Sequence, residues 1–155
     1  MVTADRPPPT GTVRSRVLVI GCGNPLFGDD AVGPMIAETV GDLARPGVVS
    51  RAVQELTPEL AADLAATDVA IFVDASLQGE AVTCTPVAPC SAGRTGLDHA
   101  LTPAGLLALA NLAFGHAPPA WLVLVPGRDF ELGHALSAPA RRGMAQALTL
   151  IGRHT

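Results

Sequence analysis

The sequence predicts an α/β fold of three layers, with a twisted, mostly parallel sheet of about five strands sandwiched between helices. Three observations carry that prediction. Short apolar runs such as RVLVI and VAIFV alternate with segments whose apolar residues recur at helical spacing, the order expected of successive strand-helix-strand units. Those runs are apolar throughout rather than at every second residue, as in strands covered on both faces. The length of 155 residues, 48% of them hydrophobic and 15% charged, fits one domain that buries an ordinary core.

From Arg16 the run RVLVI is the first strand and ends at Gly21. Beyond GCGNPLFGDD, Val32, Met35, Ile36, Val40 and Leu43 share a helical face, which predicts a helix from about Asp30 to Leu43, stopped by Arg45-Pro46-Gly47. VVSRAVQEL reads as a second strand. Thr57-Pro58-Glu59 then opens a short helix to about Ala66, with the Thr hydroxyl as cap and Pro in the first turn. VAIFVDAS is a buried strand ending in Asp74, and AVTCTPV is a further strand before APCSAGRTG, a mobile surface loop by composition. Thr102-Pro103 repeats the capped start for a helix in which Leu106, Leu107 and Ala110 are apolar. AWLVLV is the last strand, and Ser137-Ala138-Pro139 opens a last helix whose Met144, Leu148 and Ile151 share a face.

Composition excludes several classes of function. All ten basic residues are Arg and they are scattered, so no basic stripe is available for a phosphate backbone, and a nucleic-acid partner is not expected. No apolar run approaches the about 18 residues that a bilayer demands, so no membrane partner is expected either. Residues 1–15, MVTADRPPPTGTVRS, read as a disordered Pro-rich tail rather than a secretory leader, leaving residues 16–155 as a single domain located in the cytoplasm. The odd trio Cys22, Cys84 and Cys90 lacks metal-ligand spacing and suits reduced thiols, with Cys22 packed rather than reactive.

In an open α/β sheet, ligands bind beyond the carboxyl ends of the strands. GCGNPLFGDD and Asp74 both fall there. A dinucleotide fingerprint would need Gly where Leu26 stands, and Asp29-Asp30 would repel a pyrophosphate, so no organic cofactor is expected. Each acid has a plain alternative: Asp29 or Asp30 as a helix cap, Asp74 as a loop cap, Asp98 or His99 as the cap of the helix near Thr102. Together, two carboxylates at strand ends and the imidazole of His99 make a mixed oxygen and nitrogen set that suits a first-row divalent metal. His116, His134 and His154 read as solvated or capping groups. Glu55, Glu59, Arg128, Asp129 and Glu131 read as solvated, with loop-fixing ion pairs as the second choice. Asn24 and Thr57 read as turn and cap residues. The loops Ala88–Gly96 and Val125–Leu136 are expected to flank the cleft.

VLVIGCGNPLFGDDAVGP resembles the signature of the nickel-iron hydrogenase maturation proteases, a strand followed by G-x-G-N-x-x-x-x-D-[DE]-x-x-G, with Gly21, Gly23, Asn24, Asp29, Asp30 and Gly33 in place. QELTPELAADLAATDVAIFVDAS, LDHALTPAGLLALA and WLVLVPGRDFELGHALS resemble later blocks of the same family, so the likeness runs from about Arg16 onward. The resemblance implies a phosphorylase/hydrolase-like α/β fold and a cytosolic endopeptidase that removes a C-terminal extension from the large-subunit precursor of a nickel-iron hydrogenase after nickel insertion. It places the metal-binding and catalytic roles on Asp30, Asp74 and His99, the nickel being supplied by the precursor. Asp30 occupies a position that is often Glu in the family. The QELTPEL stretch is similar to the proteases that serve soluble, NAD-reducing hydrogenases. A non-catalytic nickel-binding or docking module in hydrogenase assembly is the alternative on the same fold.

Overall fold

The structure, a computed structural model, describes residues 15–91 and 101–155. Residues 1–14 of the proposed tail and residues 92–96 of the Ala88–Gly96 loop therefore lie outside the described residues. Five strands form one sheet in the order β2-β1-β3-β5-β4, from β1 (Val17–Cys22), β2 (Val48–Val53), β3 (Val69–Ser76), β4 (Thr83–Val87) and β5 (Ala120–Pro126). All neighbours pair in parallel except β4, which runs antiparallel to β5 at one edge. The helices are α1 (Val32–Asp42), α2 (Leu60–Ala65), α3 (Pro103–Phe114) and α4 (Ala138–Gly152). The expected α/β class, strand number and mostly parallel pairing are all present.

Alternation along the strands sorts the core into two layers. Leu18, Ile20, Ala70 and Phe72 pack with Leu60, Leu64, Leu106 and Leu107 of α2 and α3. Val17, Val19, Ile71, Val73 and Val123 pack on the other face with Val32, Ile36, Ala147 and Ile151 of α1 and α4. Because β1 leads through α1 to one neighbour and β3 arrives through α2 on the other side, the connections reverse between β1 and β3. That reversal opens a crevice at their carboxyl ends.

Three local expectations change. A 3-10 turn over Gly28–Ala31 precedes α1, so the helix begins at Val32 and not at Asp30, and neither Asp29 nor Asp30 caps it. The second strand stops at Val53, short of Leu56. Thr57 does not cap the amides of α2, whose first turn is closed by backbone bonds from Leu60 to Thr57 and from Ala61 to Pro58. The neighbouring Thr57 hydroxyl instead holds the Glu59 carboxyl below its ordinary value. The caps expected at Thr102 and Ser137 are formed, each accepting from the third following amide, Gly105 at 3.1 Å and Ala140 at 3.3 Å.

Candidate active site

The loop after β1 is shaped by close backbone approach. A side chain at Gly21 would collide with the carbonyl of Gly33, and one at Gly33 with the carbonyl of Cys22, so α1 lies directly against the strand end. Gly23, at φ +144°, folds the chain back until a side chain there would strike the carbonyl of Asp30. The Asp30 carboxylate then accepts the Asn24 amide at 2.7 Å, while the Asn24 side chain accepts the Leu26 amide at 3.0 Å, the turn role expected of it. Asp30 is thereby carried over the end of the sheet toward β3.

Asp74 sits on β3 opposite Leu124 of β5 and projects with Phe72 to the α2/α3 side. A cleft of about 340 Å³ runs along this end of the sheet, walled by Cys22, Gly23, Asp30, Gln54, Glu55, Asp74 and by Leu101, Thr102 and Pro103 at the start of α3. Asp30 and Asp74, remote in sequence, thus line one cavity. His99 lies outside the described residues. The helix-cap alternative offered for Asp98 and His99 likewise falls outside the described residues, and Thr102 caps the helix by accepting from the Gly105 amide.

The electrostatics of the cleft follow from its lining. Burial pushes the Asp74 carboxyl up to about 6, opposed by the 2.8 Å bond from the Ala75 amide and reinforced by the negative charge of Asp30. Burial and the same two acids push the Cys22 thiol up to about 12, which keeps it protonated and unreactive, in line with the packed role expected for it. Among the described residues, no Arg lines the cavity. The described part of the cleft therefore favours a cation.

Asp29 has a different job. It is fully buried, and its carboxylate accepts the amides of Arg128 at 2.7 Å, Asp129 at 3.1 Å and Ser137 at 2.7 Å, and the Ser137 hydroxyl at 2.7 Å. Burial alone would raise its pKa, but these bonds outweigh it and hold the group below the ordinary carboxylate range. One side chain thus ties the loop before α1 to the turn after β5 and to the cap of α4.

The remaining candidates, Glu55 apart, lie away from the cleft. Glu55, read as solvated, stands at the cleft wall, and nothing but its nearness to the strand end pointed there. The Val125–Leu136 turn does not flank the cleft; its Leu136 lines a cavity on the opposite, α1/α4 face. There His134 bonds Asp129 at 2.7 Å and lies 3.4 Å from Glu131, an ion-paired loop whose three metal-capable atoms are all within 4.8 Å of one another. His116 bonds the Thr67 carbonyl at 3.2 Å, and His154 stacks on Trp121.

No protein-family model matches the chain, and no curated protein matches it. Solved structures do. The chain is similar to the NiFe hydrogenase maturation protease HycI from Thermococcus kodakarensis KOD1, with 23% identity, TM-score 0.69, and 92% of this chain and 93% of that chain covered. It is similar to the hydrogenase maturating endopeptidase HybD from E. coli, with 22% identity, TM-score 0.68, and coverage of 88% and 89%. A hydrogenase 2 maturation peptidase from Thaumarchaeota archaeon SCGC_AB-539-E09 shares 24% identity at TM-score 0.63, with coverage of 88% and 95%. At this identity the likeness establishes the fold: the chain has, over nearly its whole length, the α/β architecture of these hydrogenase maturation peptidases.

Proposed function

We propose that the chain is a cytoplasmic endopeptidase that removes the C-terminal extension of a nickel-iron hydrogenase large-subunit precursor, using nickel already seated in that precursor as its recognition element. The observation that carries this reading is the convergence of Asp30 and Asp74 in one cleft at the β1/β3 crevice. The shared fold and the signature around Gly21, Gly23, Asn24 and Asp30 support it. His99 is proposed as the third group. Leu101 lines the cleft and is only two residues further along the chain, a span of at most about 7.6 Å between α-carbons.

Two carboxylates and an imidazole form a donor set that fits a divalent first-row ion and leaves positions for substrate atoms. Nickel carried in by the precursor supplies Lewis acidity at the scissile amide. The chain's own contribution is orientation and proton transfer. A carboxylate that gives one oxygen to the ion keeps a second that can take a proton from water as the water oxygen attacks the amide carbon. It can then return that proton to the departing nitrogen as the C–N bond breaks, which leaves a new carboxylate and a new amine. We assign that role to Asp74, with Asp30 and His99 completing the hold on the cation. No Ser/His/Asp or Cys/His arrangement offers a covalent nucleophile among the described residues.

The test is incubation of the protein with nickel-loaded and nickel-free precursor, followed by intact mass measurement. Mass loss at the C-terminus of the loaded form alone is the expected result. Binding without any cleavage would replace the peptidase by a docking module, and cleavage independent of nickel would remove the recognition role of the metal.

A further inference from the structure

A second cavity, of about 640 Å³, lies on the other face of the sheet between α1 and α4, and its walls are mostly apolar: Met35 from one helix, Met144 and Leu148 from the other, with Pro25, Ala31 and Leu136 from the loops above. The apolar surface does not end at the cavity. Leu26, Phe27 and Leu132 are exposed to 60%, 39% and 65%, and they are neighbours, since Phe27 bridges Leu132 and the Gly133 amide bonds the Leu26 carbonyl at 2.8 Å. Contiguous apolar surface of this kind marks a protein contact, and paired methionines adapt readily to a partner's shape.

Two observations say what covers it. First, cavity and cleft share a wall: Gly23 and Asp30 of the loop after β1 line the cleft, while Pro25, Gly28 and Ala31 of the same loop line the apolar groove. A protein whose chain end enters the cleft therefore crosses the carboxyl rim of the sheet and reaches the groove with its body. Second, the two titratable groups that line the groove differ. His134 is engaged by Asp129 and Glu131, whereas Arg141 spends Nη1 on the Leu136 carbonyl at 2.6 Å and has no acidic partner among the described residues.

We propose that the α1/α4 groove is the docking site for the body of the precursor, taking an apolar segment that presents a carboxylate to Arg141. This rests on the peptidase reading above and adds a second site to it. The cleft cuts, and the groove holds.

The test is steady-state cleavage of nickel-loaded large-subunit precursor by the full chain and by the variants Met144→Asp and Arg141→Glu, with binding followed by biolayer interferometry. The expected result is a rise of tenfold or more in KM and Kd with kcat unchanged for both, and restoration by Met144→Leu. Arg141 is exposed, so Arg141→Glu carries the test even where Met144→Asp fails to fold. Normal KM in a folded Arg141→Glu would overturn the carboxylate contact, and normal KM in both variants would overturn the groove while leaving the peptidase intact. Wild-type protein that neither binds nor cuts the precursor would overturn both readings. A dimer seen by ultracentrifugation and lost in Arg141→Glu would assign the groove to a second copy of this chain instead.

Discussion

Asp29 and Asp30 are neighbours in sequence, yet they serve two regions with opposite physics. Asp29 is sealed from water and saturated by four donors, so its charge is held by the fold and its pKa is depressed. Asp30 faces a cleft with Asp74, and there burial raises the Asp74 pKa to about 6, with only the Ala75 amide to oppose it and the negative charge of Asp30 to add to it. The difference lies in the supply of hydrogen-bond donors rather than in residue type or depth of burial. A saturated carboxylate is a fastener, and an undersupplied one is open to a cation or a proton.

The largest effect that sharpens this contrast belongs to the cleft. Asp74→Asn is expected to lower precursor cleavage by roughly a thousandfold, the scale of general acid–base catalysis, while the fold stays intact. Cleavage at the wild-type rate would remove Asp74 from the chemistry. His99→Ala is expected to abolish processing in the same assay with an unchanged thermal midpoint.

Asp29→Ala tests the fastener. It strands the Arg128, Asp129 and Ser137 amides, and buried unsatisfied donors cost about 1–3 kcal/mol each, so a loss of at least ~3 kcal/mol in urea denaturation is expected. A loss below ~1 kcal/mol would show that the loops hold without it. Ser137→Ala removes one bond to Asp29 and the α4 cap together, and a loss of about 1–2 kcal/mol is expected in the same measurement.

The smallest effect is a pH signature. Asp74 has a folded pKa of about 6, above its unfolded value of 3.8, so its ionisation opposes folding above pH 6 and that penalty fades as pH falls toward 4. Asp74→Asn is therefore expected to be more stable than wild type at pH 7, on the order of 1 kcal/mol after allowing for its partial exposure, with the gap closing near pH 4. A gap independent of pH would contradict the assigned environment. The depressed pKa of Asp29 acts in the other direction, contributing stability at neutral pH that is lost in acid below its ordinary value of 3.8.

Much of this was legible in the chain because it is written in local patterns. Fully apolar runs announced the buried strands, and Thr102-Pro103 and Ser137-Ala138-Pro139 announced helix starts that formed as read. Asp30 and Asp74 were legible because strand ends in an α/β sheet converge. Asp29 was not, because its partners Arg128, Asp129 and Ser137 lie about a hundred residues away, and nothing local says that a loop acid will meet three amides. The Thr57 cap failed because the helix starts later than the Thr-Pro-Glu pattern suggests: Glu59 holds the N-cap position, two residues beyond Thr57. The α1/α4 groove was hidden because Met35 and Met144 read simply as core positions on amphipathic helices.

The most direct test of the central claim is anomalous diffraction from crystals of the full chain soaked in nickel. The account predicts a peak bounded by the carboxylates of Asp30 and Asp74 and the imidazole of His99. An ion held only by Asp129, Glu131 and His134, with none in the cleft, would contradict it.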